Sequence, residues 1–141
     1  MARPKKLSAS MEDYLEAIYM LARENHVARS KDIAERLDVN RSSVTGMVRT
    51  LAERGLVEHE RYGYITLTAA GERAAREVAG RHDVLRDFFV KVLCIDPEEA
   101  DQAACRMEHA VSKRVIERLT AFAAYVERCP QASAQWLPDK R

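Results

Sequence analysis

The chain has 141 residues, 47% of them apolar and 32% charged, with a formal net charge of +1. That length suits one domain or two small ones, and nucleic-acid binding, if present, has to come from local patches rather than bulk charge. No apolar run approaches the roughly 20 residues that span a bilayer, the start Met-Ala-Arg-Pro-Lys-Lys lacks the apolar stretch of a secretory signal, and three cysteines without framework spacing fit a reducing cytoplasm.

Residues 3 to 6, Arg-Pro-Lys-Lys, make a short basic arm, either a solvated tail or a segment that touches phosphates. Ser10 to Asp13 opens a first helix, with Ser10 placed as the N-cap and Asp13 at the third position, where the helix dipole favours an acid. Met11, Tyr14, Leu15, Ile18, Leu21 and Ala22 form its apolar stripe. Asp13 and Glu16, three apart, share a neighbouring face. They serve capping and solvation, or they help complete a metal site.

Ser30 is placed to cap a second short helix, 31–37, with Ile33, Ala34 and Leu37 inward. Asp38-Val39-Asn40 is a tight connection. A third helix then runs from about Arg41 to Arg54 and stops at Gly55. Val44, Met47, Val48, Leu51 and Ala52 make its buried stripe. The opposite face carries Ser42, Thr45, Gly46 and Arg49, with Arg41 at the start and no acid before Glu53. Small polar side chains and arginine suit a helix lying in a major groove, and the arrangement reads as helix-turn-helix. Arg41, Ser42, Ser43, Thr45 and Arg49 are the expected groove and phosphate contacts.

Leu56 to Glu60 and Tyr64 to Thr68, split by Arg61-Tyr62-Gly63, read as a hairpin. A hairpin after a recognition helix is a wing, and Arg61 at its tip is placed to reach a phosphate or the minor groove. Thr68 caps a long helix from about Ala70 to Val92, weakened locally by Gly71 and Gly80 and strongly apolar at Leu85, Phe88, Phe89 and Val92. His82 sits in its middle, where a lone histidine is ordinarily structural.

Asp96-Pro97-Glu98-Glu99 combines an N-cap, a first-position proline and first-turn acids, and starts a helix expected to reach Val111. It bears Cys105-Arg106-Met107-Glu108-His109. Residues three and four apart share a helix face, so Cys105, Glu108 and His109 present a thiol, a carboxylate and an imidazole together. These are common transition-metal ligands. The plainer reading is a half-exposed helix with an ordinary Glu and His and a small core cysteine. Ser112 caps a last helix through about Arg128, with Val115, Ile116, Leu119, Phe122, Ala123 and Val126 expected inward. The helices of 69–128 carry more apolar surface than one small module buries alone. Either they pack on the first part of the chain or they form a homodimer interface, which a reader of a two-fold operator also needs. The tail from Cys129 to Arg141 lacks clear periodicity.

Together these segments resemble the metal-dependent repressors of the diphtheria toxin repressor type, including the manganese transport regulators. Ser10 to Leu21 is similar to the first helix of the manganese branch, and Cys105 to His109 to the metal-binding helix of the iron branch. Asp32 to Leu37 with Val44-Thr45 resembles the shared helix-turn-helix, and Arg81-His82 the shared long-helix histidine. The resemblance implies a mainly α fold: an N-terminal winged helix-turn-helix domain, 1–70, then an all-helical metal-binding and dimerisation domain, 71–141, without the C-terminal SH3-like domain of larger members. It implies metal ligands at Asp13, His82, Cys105, Glu108 and His109, with Glu16 a ligand in the manganese branch. The chain departs from the iron branch's ancillary site, where Arg86 replaces an acid and Asp101 a histidine.

The expected function is a divalent-metal-dependent transcriptional repressor of metal homeostasis, a cytoplasmic homodimer on double-stranded operator DNA, with no membrane or organic cofactor. The hard oxygens of Asp13, Glu16 and Glu108 suit Mn(II), whereas the soft Cys105 thiolate favours Fe(II), Co(II) or Zn(II). Fe(II) is therefore expected ahead of Mn(II), with Zn(II) or Co(II) binding in vitro. A metallohydrolase would need a nucleophile, phosphate loop or substrate pocket that the sequence does not offer, so no enzymatic activity is expected. A metal-free winged-helix regulator sensing a small molecule is the nearer rival, but it leaves the clustered ligands without a role.

Overall fold

The computed structural model describes residues 6–131, apart from the side chain of Arg61. The chain divides into two compact units between Val78 and Ala79.

The first unit begins with α1 (Ala9–Asn25). Its cap is Ser8, not Ser10: the Ser8 hydroxyl accepts from the Met11 N–H at 3.2 Å, and Ser10 lies inside the helix. The helix ends at His26, whose left-handed φ of 66° turns the chain out. Leu15 and Ile18 are fully buried, whereas Ala22 is exposed. Glu12, in the first turn, is buried as well, a carboxylate that the apolar stripe did not flag.

A short strand, β1 (Ala28–Arg29), then runs straight into α2 (Ser30–Leu37). Ser30 is consequently the first helical residue and not the cap; the cap position is Arg29, paired in the sheet with Tyr64, and its guanidinium, which only donates, makes no cap bond. Arg36 of α2 donates to both Glu24 oxygens, at 2.9 and 3.1 Å, and holds the Glu24 carboxyl below its usual value. With the folded pKa depressed, this link is present above the unfolded pKa and is lost as pH falls through the folded one.

The helix α3 (Arg41–Glu53) is capped by Asn40, whose side-chain oxygen accepts from the Ser43 N–H at 2.8 Å. Val44, Val48 and Leu51 are buried and Met47 packs against the same core; Ala52 is exposed, at the edge of the stripe. The wing consists of β2 (Val57–His59) and β3 (Tyr64–Leu67), joined by a single 3₁₀ turn over Arg61–Gly63. The sheet order is β1-β3-β2, all antiparallel, with Ala28 opposite Ile65 and Val57 opposite Leu67. The core gathers Leu15, Ile18, Ile33, Val44, Leu51 and Ile65 from helices and sheet alike.

The helix α4 (Ala69–Lys91) belongs to both units. Thr68 caps it, accepting from the Gly71 N–H at 3.1 Å while its own hydroxyl donates to the Gly55 carbonyl at 2.6 Å. Ala70, Ala74 and Ala75 join the first unit's core, so the division falls within the helix. Arg76 also hydrogen-bonds Tyr19 and, with Arg23, holds its hydroxyl below the usual value.

The second unit comprises the rest of α4, then α5 (Pro97–Met107) and α6 (Lys113–Arg128). Asp96 caps α5 from the Glu98 and Glu99 amides, with Pro97 at the first position. The helix stops four residues before Val111. Glu108 to Ala110 form a turn, tightened by a bond from the Ala110 N–H to the Met107 carbonyl at 3.0 Å. Ser112 caps α6, accepting from the Val115 N–H. Leu85, Val92, Ala100 and Ala104 are buried. None of α6 is: Val115 is 47% exposed, Phe122 50% and Tyr125 53%. Of the expected inward stripe of α6, Ile116, Leu119, Ala123 and Val126 are half-buried while Val115 and Phe122 are exposed, and among the described aromatic contacts Phe122 reaches α4 through Phe88, with ring centroids 6.1 Å apart.

Gly71 is where α4 passes over the Leu56 carbonyl, and a Cβ there would collide with that oxygen. At Gly80, on the same helix, a Cβ meets nothing within 4 Å. Gly71→Ala should destabilise the folded chain by about 1–3 kcal/mol through overpacking. Gly80→Ala should instead stabilise it by up to about 1 kcal/mol through helix propensity. Urea unfolding of the two variants checks for opposite signs; equal shifts would show that helix propensity alone governs both positions.

Candidate metal centre and nucleic-acid face

In the second unit, α4 supplies His82 and α5 with its following turn supplies Asp101, Cys105, Glu108 and His109. Donor atoms of His82, Cys105 and Glu108 all lie within 4.8 Å of one another. His82 Nδ1 is 2.7 Å from Glu108 Oε2 and 3.7 Å from Cys105 Sγ. His82 Nε2, on the other edge of the ring, is 2.8 Å from Asp101 Oδ1. His109 Nε2 is 3.4 Å from Glu108 Oε1.

Local structure explains the convergence. Glu108 occupies the C-cap of α5 and keeps helical dihedrals, φ −56° and ψ −29°, so the three-residue offset from Cys105 still puts both side chains on one face. The helix has ended by His109, yet its imidazole remains beside the Glu108 carboxylate. Glu108 is 1% exposed. A buried carboxylate needs a compensating charge, and its ion pairs among the described residues are both to histidines. A buried carboxylate, two imidazoles and a thiol are a donor set that fits a divalent transition ion.

Asp13 and Glu16 lie in the first unit, half-buried on α1 and three residues apart. Of the six expected ligands, the second unit thus groups His82, Cys105, Glu108 and His109, and α1 carries the other two. Asp101, seen in the sequence only as a departure from a family pattern, lies directly against His82.

On α3, Arg41, Ser42, Ser43, Thr45 and Arg49 are all exposed, along with Gly46, and Val44 and Val48 face the core. The expected recognition face is a solvent face. Ser42 donates to the Asn40 side-chain oxygen at 2.7 Å, and Thr45 to the Arg41 carbonyl at 3.0 Å. The side chain of Arg61 and residues 3–5 of the basic arm lie outside the described residues; Lys6 is exposed. Beside Arg61, Tyr62 stands 88% exposed at the wing tip with a left-handed φ of 71°. Arg29, unremarked in the sequence, stacks over the Tyr64 ring at 5.0 Å and donates to its hydroxyl.

Comparison with known proteins places these two units. Residues 6–65 match the iron dependent repressor N-terminal DNA binding domain, and residues 68–137 match the iron dependent repressor metal binding and dimerisation domain. The chain belongs to the iron-dependent repressor family. It is 40% identical to the HTH-type transcriptional regulator MntR of Shouchella clausii, over 84% of this chain and 82% of that one. It is 38% identical to an uncharacterised HTH-type transcriptional regulator of Methanocaldococcus jannaschii, over 82% of this chain and 94% of the relative. A solved manganese-dependent transcriptional repressor in complex with manganese superposes with a TM-score of 0.75 at 38% identity, covering 82% of this chain; the match spans 53% of that longer chain. Family membership makes the chain a metal-responsive DNA-binding regulator, and the metal-free small-molecule reading is not favoured. No described helix is long and apolar enough to cross a membrane.

The Cys105 thiol, exposed and 3.7 Å from the His82 ring, supplies a spectroscopic handle. Co(II) added anaerobically should give an intense sulfur-to-cobalt charge-transfer band in the near ultraviolet. Cys105→Ser should abolish that band. A band that survives would place the cobalt on another cysteine.

Proposed function

We propose that the chain is a metal-activated homodimeric repressor, with Asp13, Glu16, His82, Cys105, Glu108 and His109 as its metal ligands. The observation that carries this reading is the buried Glu108 carboxylate set against His82 and Cys105 in a family-matched metal-binding domain. Asp13 and Glu16 on α1 and His82, Cys105, Glu108 and His109 of the second unit would hold the ion, which would supply the positive charge these donors share. α1 packs with α3 in the first unit's core, so holding Asp13 and Glu16 on an ion would hold α3 with them. The two recognition helices of a dimer can then occupy successive turns of B-DNA, about 34–36 Å apart. The coupling is a higher affinity of the ion for the DNA-competent state, and linkage makes it reciprocal.

Arg41, Ser42, Ser43, Thr45 and Arg49 are the proposed groove and phosphate contacts, with Arg61 on the wing. Their support is the exposed, acid-free face of α3. The exposed apolar stripe of α6, with Val115, Phe122 and Tyr125, supports dimerisation through the second unit, because a second copy would remove that surface from water. We place Fe(II) ahead of Mn(II) as the physiological activator, with Zn(II) and Co(II) binding at least as tightly in vitro. The support is Cys105: a carboxylate at that position has two oxygens with which to bridge ions, whereas a thiolate has one soft sulfur.

Gel shifts on an operator fragment, with and without chelator, test the central claim: DNA should be bound tightly only when metal is present. Glu108→Gln should abolish that stimulation while leaving the dimer folded, and a variant that still responds fully to metal would make the cluster structural. At matched salt, Arg49→Ala should weaken operator binding by about 1–3 kcal/mol and relax specificity at one base pair. Unchanged affinity would mean that another face reads the DNA. Cys105→Glu should weaken Fe(II) and Co(II) relative to Mn(II) in anaerobic titrations; an unchanged ranking, or a wild type answering to Mn(II) alone, would overturn the proposed preference.

A further inference from the structure

The His82 ring has an inner and an outer edge. On the inner edge, Nδ1 lies 2.7 Å from Glu108 Oε2 and 3.7 Å from Cys105 Sγ, within the donor cluster. On the outer edge, Nε2 lies 2.8 Å from Asp101 Oδ1. A neutral imidazole carries one proton, and the hydrogen bond made by one nitrogen decides whether the other has a lone pair to offer a metal. A carboxylate can only accept while it is ionised. Asp101 is half exposed, and Arg86 Nε stands 3.6 Å from the same oxygen that meets His82. The placement comes from two helical steps. Arg86 follows His82 by four residues on α4, and Cys105 follows Asp101 by four on α5, so each pair shares a face.

We propose that Asp101 is a positioning residue of the metal centre. It accepts the Nε2 proton of His82 and orients the ring, so that Nδ1 can give up its hydrogen bond to Glu108 and offer its lone pair to the ion; Arg86 steadies the aspartate. This rests on the reading of His82, Cys105 and Glu108 as metal ligands. The Arg86 guanidinium also holds positive charge on the outer side of the ring, where another cation would be repelled. The carboxylate–histidine–metal arrangement also raises the basicity of the ligating nitrogen.

The test uses the full chain, loaded anaerobically with Co(II) for affinity and with Zn(II) for nuclear magnetic resonance of the histidine rings. Asp101→Ala should weaken Co(II) binding by about 10- to 100-fold, measured by chelator competition. Asp101→Asn, which still accepts from Nε2 but without the charge, should fall between Asp101→Ala and wild type and covers the case in which the alanine variant fails to fold. In the Zn(II) form, the His82 Nε2–H resonance should exchange slowly in wild type and rapidly in Asp101→Ala. Affinity and exchange unchanged in both variants would overturn the inference while leaving the metal reading intact, provided Glu108→Gln loses Co(II). A wild type that takes up no Co(II) would overturn the metal reading, and the inference with it.

Discussion

A carboxylate sealed from water is the constraint on which the second unit turns. Glu108 is 1% exposed and sits at the C-terminal end of α5, where the helix dipole is already negative. Burial and dipole both oppose its charge, and the penalty for an unpaired ion in such a place is several kcal/mol. Two imidazoles, one from α4 and one from the next residue in the chain, stand against its two oxygens. A divalent ion, as proposed, would give that carboxylate a stronger counter-charge than an imidazole can. The geometry of α4 and α5, down to the residue at which α5 ends, serves to keep that carboxylate dry and surrounded by donors.

Much of this was legible in the sequence, for local reasons. Cys105 and Glu108 were paired by helical spacing alone, and the pairing survives although α5 ends earlier than expected, because Glu108 keeps helical dihedrals at the cap. Partners 26 residues apart, as His82 and Glu108 are, leave no trace in local periodicity; His82 entered through a family pattern, and Asp101 was visible only as a departure from one. β1 was missed because two residues carry no alternation, and its strand character comes from pairing with Ala28 opposite Ile65 and Arg29 opposite Tyr64. The caps show the same limit. Ser8, Ser10 and Ser30 are chemically equivalent candidates, and backbone geometry set elsewhere decides which hydroxyl meets an amide.

The α6 helix shows what periodicity does and does not carry. Its apolar positions fall on one side, as expected, yet Val115, Phe122 and Tyr125 remain about half exposed. Amphipathic spacing says that a face is meant to leave water, not whether the covering surface belongs to the same chain. The family description of this region as a dimerisation domain supplies what the pattern could not.

On α3 the hydroxyls of Ser42 and Thr45 are already committed. Ser42 gives its proton to Asn40 and Thr45 gives its proton to the Arg41 carbonyl. Each oxygen keeps only lone pairs to turn outward. In this rotameric state neither side chain can donate to a phosphate, to guanine O6 or to any N7. What they can meet is an amino group, N4 of cytosine or N6 of adenine, or for the threonine methyl the methyl of thymine. If α3 reads DNA as proposed, the discrimination of guanine would fall to the arginines, and the hydroxyl pair would answer only to the bases that offer a hydrogen.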